Sequence, residues 1–124
     1  MIVERFSCYR GNLFGDASDY FVDFARKKGH EVVEHLKLPE KTDSRIFILN
    51  VNPSYVRKNA LEVMDLIKKY PETDFYIFNN EFLGIPEYRN LKSINLANKV
   101  SISLLEDLGE TKKNLAILRG GQTQ

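Results

Sequence analysis

The stretch ARKKGHEVVEH, Ala25 to His35, decides how the chain folds. Three cations in a row run into a glycine, and a β-branched pair, Val32 and Val33, follows. Cations are stabilised at the negative end of a helix, and glycine supplies the left-handed residue that stops one. The valines beyond favour extended backbone. The stretch therefore reads as a helix handing over to a strand at Gly29, with HEVVEHL as that strand.

Upstream, Ala17, Tyr20, Phe21, Phe24 and Ala25 fall at i, i+3, i+4, i+7 and i+8, the face of an amphipathic helix. Residues 2–8 before it suit a strand, with Cys8 as a small residue within it. Downstream, RIFIL at 45–49 and FYIF at 75–78 are the short apolar runs that strands buried on both faces require. Between them a long helix is predicted, with Val56, Ala60, Val63, Met64 and Ile67 on one face. Asn52 can cap it, Pro53 suits its first position, Lys68 and Lys69 its last turn, and Pro71 lies beyond its end.

Strands that alternate with helices imply a parallel sheet with right-handed crossovers. The expected fold is a single α/β domain over 1–124, Rossmann-like or flavodoxin-like, with helices on both faces and a loose tail at 119–124. Glu4 and Arg5 are unexpected in a strand buried on both faces, so the first strand is expected at an exposed edge or the sheet in a non-standard strand order. Past Phe78, Tyr88, Leu91, Ile94 and Ala97 predict a helix over 87–97, with a strand at 92–96 as the competing reading. NKVSIS then reads as a short strand, LLEDLG as a short helix and NLAIL as a final strand.

At 124 residues the chain has the length of one domain. Its 18 basic and 17 acidic residues give a net charge of +1, so no global field draws in nucleic acid or an anionic membrane. No run approaches the length of a membrane span, and MIVERFSCYRGN lacks the pattern of a signal peptide. No membrane partner is expected and nucleic acid is not signalled. The single cysteine excludes an intramolecular disulfide and a cysteine metal cluster, which fits a reducing cytoplasm. No cofactor or metal is expected. His30 and His35 are five positions apart and point to opposite faces of a strand, where they cannot easily share an ion. The pairs Arg57-Lys58 and Lys112-Lys113 read as solvated helix charge.

Ligands of open parallel sheets sit beyond the carboxyl ends of the strands. Those ends carry YRGNLFGDAS, NVNPS, NNEFLG and, after a fifth strand, Ser101 to Ser103. They gather Arg10, Asn12, Asp16, Asn50, Asn52, Ser54, Asn79, Asn80 and Glu81, hydrogen-bonding groups suited to a sugar or a nucleotide. Arg10, Asn12, Asn52, Ser54 and Asn80 are the expected ligand-binding residues, and a ligand is expected over Arg10, Asn52 and Glu81. Glu81 would be a general base if burial raised its pKa. Gly11 and Gly15 let the first loop approach a ligand, but the spacing is neither G-x-G-x-x-G nor the P-loop pattern. Asp16 or Ser18 reads as a helix cap there.

YFVDFARKKGHEVVEHL resembles the first helix and second strand of the N-terminal domain of GT-B glycosyltransferases. SRIFILNVNP is similar to that family's following buried strand, and LANKVSISLLEDLGETKKNLAIL to its later strand, helix and strand. The resemblance implies an acceptor-side domain whose partners are a sugar acceptor or nucleotide-type ligand and a second domain or protein. The family's donor-binding half has no counterpart in these pieces, so the chain alone is expected to be inactive as a transferase. NPSYVRKNALEVMDL distantly resembles a segment of TIR domains, which implies a small TIR-like or flavodoxin-like nucleotide-binding domain as the alternative. A non-catalytic interaction module is the third reading.

Overall fold

The computed structural model describes residues 1–111 and 113–115. The elements in chain order are β1 (Ile2–Ser7), α1 (Asp19–Lys27), β2 (Glu31–His35), β3 (Ile46–Asn50), α2 (Pro53–Lys69), β4 (Asp74–Phe78), α3 (Asn80–Leu83), β5 (Leu91–Ile94) and α4 (Lys99–Asp107). The five strands form one sheet in the order β2-β1-β3-β4-β5, and every pair is parallel. This is the flavodoxin-like order, and its switch point lies between β1 and β3. The expected α/β domain with helices on both faces is present.

The opening joint forms as read. α1 carries Arg26 and Lys27 in its last turn, and Gly29 stands at φ +85° before β2. Its buried face is Phe21, Val22 and Ala25. Tyr20 is exposed and Ala17 precedes the helix, so the apolar stripe is turned toward Val22. Phe24, expected in the core, is partly buried against it, with the Lys28 ammonium over its ring. α1 and α4 cover one face of the sheet, packing on Val3, Ile46, Ile48 and Tyr76. α2 covers the other through Val56, Val63, Leu66 and Ile67, against Phe47, Leu49, Phe75 and Ile77. Asn52 caps α2 by accepting the Tyr55 N–H at 2.7 Å, and Pro53 follows at its first position. The helix kinks at Asn59, where the side-chain amide donates to the Tyr55 carbonyl and competes with the main-chain ladder.

β1 is not an edge strand, because it pairs with β2 on one side and β3 on the other. Its two charges are buried and satisfied. Glu4 accepts from the hydroxyls of Thr42 and Ser44 and bonds His35 Nε2 at 2.7 Å. Arg5, on the opposite face, donates to Glu34, Asp19 and Ser18. The expectation of an edge failed because these partners lie 13 to 40 positions away in sequence. Thr42 and Ser44 belong to the connection 36–45, which links β2 to β3 past β1 without a helix.

The second half departs further from expectation. Residues 91–94 form a strand, not the middle of a helix over 87–97. Leu91 and Ile94 are buried there, Leu91 against the α2 side and Ile94 against the α1 and α4 side. NKVSIS is not a strand, since α4 begins at Lys99 with Asn98 accepting the Ser101 N–H. Ser101 to Ser103 are consequently helical. β1 stops at Ser7, and Cys8 lies one residue beyond it, its N–H still bonded to the Asn50 carbonyl at 2.8 Å. Of NLAIL, residues 114 and 115 are helical and the rest lies outside the described residues, as does the tail at 119–124.

Candidate functional site

Because the strands are all parallel, their carboxyl ends share one edge, and at the β1/β3 switch point that edge holds a buried carboxylate. The loop from β1 turns twice, with Gly11 at φ +78° and Gly15 at φ +81°. The Asn12 N–H bonds the Tyr9 carbonyl, the Gly15 N–H bonds the Asn12 carbonyl, and the Asn12 side chain accepts the Phe14 N–H at 3.0 Å. These turns fold the chain back so that Asp16 meets the ends of both strands. Asp16 Oδ1 accepts from the Ser18 N–H at 2.9 Å, the Ser18 hydroxyl and Asn50 Nδ2 at 2.7 Å. Oδ2 accepts from the Ser7 hydroxyl, and Arg5 Nη1 stands 3.6 Å away.

The Asp16 side chain is 3% exposed. Burial alone would raise its pKa, but the bonds from Ser18, Ser7 and Asn50 outweigh that and hold it below the usual carboxylate range. The site is a fixed negative charge at neutral pH. Since Asn50 Nδ2 faces the carboxylate, the amide orientation is set, and its Oδ1 is buried without a hydrogen-bond partner among the described residues. A buried acceptor left open in this way costs about 1 to 3 kcal/mol unless a donor reaches it. The first free donor of α1, the Ser18 N–H, is already taken by Asp16.

Beside this cluster runs a second one. Burial would lower the pKa of Arg5, but its bonds to Asp19 and Glu34 raise it. Glu34 is likewise held low, because bonds from Arg5 and Arg26 outweigh its partial burial. Arg10 joins at the periphery, its Nε 3.6 Å from Glu34. Tyr55, partly buried on α2 with its ring 5.1 Å from that of Phe6, has its pKa raised by burial first and by Cys8 and Glu62 second. At the end of β4, Asn79 adopts a left-handed φ of 64° and starts α3.

The expected ligand residues are split by these contacts. Arg10 is drawn to Glu34 on β2, whereas Glu81 follows β4, three strand spacings or about 14 Å along the sheet. Asn12 holds its own loop and Asn52 caps α2. Ser54 is exposed and accepts from Arg57 at 3.3 Å. Asn80 clamps the Ile85 N–H and carbonyl at 3.1 Å and donates to the Ser93 hydroxyl. Glu81 is exposed, without a hydrogen bond or ion pair among the described residues. Asn12 and Asn52 follow neighbouring strands, β1 and β3. Sequence reasoning counted Asp16 and Asn50 among the strand-end groups but gave Asp16 the role of a helix cap, and it missed Ser7. The signal available was Asp16 beside Gly15 at a strand end, facing Asn50 at another.

His30 and His35 serve separate contacts, His30 with the Leu108 carbonyl at 2.7 Å and His35 with Glu4. Among the described residues no cluster of three His, Cys, Asp or Glu side chains could hold a metal, and no helix is long and apolar enough to cross a membrane.

Fold and site define a flavodoxin-like parallel α/β domain with a buried, ionised aspartate at its switch point. No protein-family model, curated protein or solved structure matches the chain.

Proposed function

We propose that the chain is an acceptor-side, glycosyltransferase-like binding domain that takes a hydroxyl-bearing ligand such as a sugar at the carboxyl ends of β1 and β3. The observation that carries this reading is the acceptor-rich cluster of Asp16 and the open Asn50 Oδ1 at the switch point. Hydroxyl groups donate to such acceptors. A phosphate brings only negative charge, and at this loop it would meet an ionised Asp16 where a phosphate-binding loop offers free backbone N–H groups. The alternative of a small nucleotide-binding domain is favoured by one feature, the flavodoxin-like strand order.

Titrating the isotope-labelled protein with simple sugars, nucleotide sugars and nucleoside phosphates separates the two. Amide shifts over Gly11–Asp16 and Val51–Asn52 with sugars support the proposal, and shifts in the same loops only with nucleoside phosphates favour the nucleotide reading. No shift with any of them leaves a non-catalytic interaction module. The 124 residues by themselves are expected not to transfer sugar from a nucleotide-sugar donor. Holding donor and acceptor in reacting geometry supplies about 7 to 11 kcal/mol of such a barrier, and the carboxylate nearest Asp16 through Arg5, that of Asp19, is held in an ion pair with the same guanidinium. Turnover by the purified chain, lost in Glu81→Gln or Arg10→Ala, would overturn this.

A further inference from the structure

Two strands of the sheet have an open side, β2 and β5, and the chain treats them differently. β5 is partly closed off by its own loops, since the Leu91 N–H bonds the Tyr88 carbonyl at 3.0 Å and the Ser93 carbonyl accepts from Asn98 Nδ2 at 3.1 Å. β2 has no such cover. In a parallel ladder, alternate residues of a strand turn their N–H and C=O groups to the same neighbour. The Glu31 N–H bonds the Met1 carbonyl at the start of β1, so Glu31, Val33 and His35 face β1, and Val32 and Glu34 face the open side. The main-chain groups of Val32 and Glu34 have no hydrogen-bond partner among the described residues. Every residue of β2 is exposed or half-buried, so the edge is within reach of another chain.

An unguarded edge accepts another strand, and the sequence EVVEH says which one fits. Laid antiparallel on a second copy about Val33, Val32 and Glu34 exchange both main-chain bonds with Glu34 and Val32 of that copy, four hydrogen bonds in all. On one face of the joined sheet Glu31 then stands against His35 of the other copy, on either side of a contact between the two Val33 side chains. On the other face Val32 stands against Glu34. No like charges are opposed. Slipping the register by two residues one way sets Glu34 against itself, and the other way sets it against His30, outside the strand. The other charges round the edge are of both signs and are largely paired within one copy. Glu34 is bonded to Arg5 and Arg26 with Arg10 3.6 Å away, and Lys28 stands 3.6 Å from Glu110. Lys27 and Lys37 are exposed, without an ion pair among the described residues. The net charge of +1 brings little repulsion between copies. We infer that the chain forms a two-fold symmetric dimer through β2, which joins the two sheets into one. Such self-complementary, two-fold contacts are the commonest in homo-oligomers. Five residues a side is well below the roughly 20 to 30 of a standard interface, so the dimer is weak and forms at high concentration.

Sedimentation velocity of the full chain from micromolar to millimolar concentration tests the inference, with amide hydrogen exchange read at both ends of that range. The expected result is a shift from monomer to dimer, accompanied by slowed exchange at Val32 and Glu34, whose N–H groups face the open side. Val32→Pro removes an outward donor and leaves the ladder to β1 intact, and dimerisation should weaken about thirtyfold, since two symmetry-related hydrogen bonds are lost. Glu31→Arg, at an exposed position, should weaken it about fivefold by setting a cation against His35. An unchanged circular dichroism spectrum checks the fold of each, and Glu31→Arg carries the test if the proline variant does not fold. The inference is overturned if the chain stays monomeric to millimolar concentration. It is equally overturned if a dimer forms with Val32 and Glu34 exchange unchanged, or with both variants as tight as the parent, since the contact would then lie on another surface. Protection of these two amides at every concentration also overturns it, because the edge would then be filled within the chain.

Discussion

Asn90 shows how much a single side chain holds in this domain. Its buried side-chain amide nitrogen donates to the carbonyls of Ile67, Tyr70 and Thr73 at 2.9 to 3.2 Å, while the Asn90 main-chain carbonyl accepts the Phe75 N–H. It thereby ties the end of α2 to the starts of β4 and β5. Asn90→Ala strands these carbonyls, and chemical denaturation should register a loss of about 2 to 3 kcal/mol. Asp16 makes a different prediction because its charge titrates. Its folded pKa lies below the ordinary 3.8, so its contribution is fully present above that value and is lost as pH falls through the lower folded value. Glu34, depressed in the same direction from 4.5, acts with it. The urea midpoint should therefore drop as pH is lowered below about 4, and Asp16→Asn should be less stable at neutral pH with a shallower acid loss. A variant that titrates as steeply as the parent would mean that Asp16 does not carry the effect. None of these roles is local in sequence: Asn90 reaches back 17 to 23 positions and Asn50 lies 34 positions from Asp16.

At the scale of elements, the sequence was most legible where a helix or strand carries its own signals. The cap, proline, cations and apolar face of α2 are all within 20 residues of one another, and the helix forms where they place it. β5 was misread because Leu91 and Ile94 are three apart, a helical spacing that also places two strand residues on opposite faces. Both are buried because β5 has α2 on one side and α4 on the other, and only the assembled sheet supplies those covers. Core truncations should follow burial: Ile48→Ala, at the centre of β3, should cost about 2 to 5 kcal/mol, and Phe24→Ala, half-covered on α1, less than Ile48→Ala. Equal losses would place Phe24 deeper than the structure does. β2 is an edge strand whose residues are only partly buried. Amide hydrogen exchange should accordingly be faster along Glu31–His35 than along Ile46–Asn50.

For the molecule as a whole, one face of β1 rests on Arg5 and the other on Glu4, and both charges wait for distant partners. Arg5 meets Glu34, 29 positions on, and Glu4 meets Thr42, 38 positions on. An interior strand is thus first in the chain but can pair only after β2 and β3 exist, an order of events that makes parallel sheets slow to fold. An apolar strand left open for that time is a template for other chains. IVERFS carries two opposite charges in its middle, which discourage such pairing in the unfolded chain and are neutralised only in the native register. The charges of Glu4 and Arg5 are therefore expected to keep β1 soluble in the unfolded chain until its own neighbours arrive. Replacing Glu4→Val and Arg5→Val together should raise light scattering during refolding at micromolar concentration, even under conditions where the folded protein remains stable.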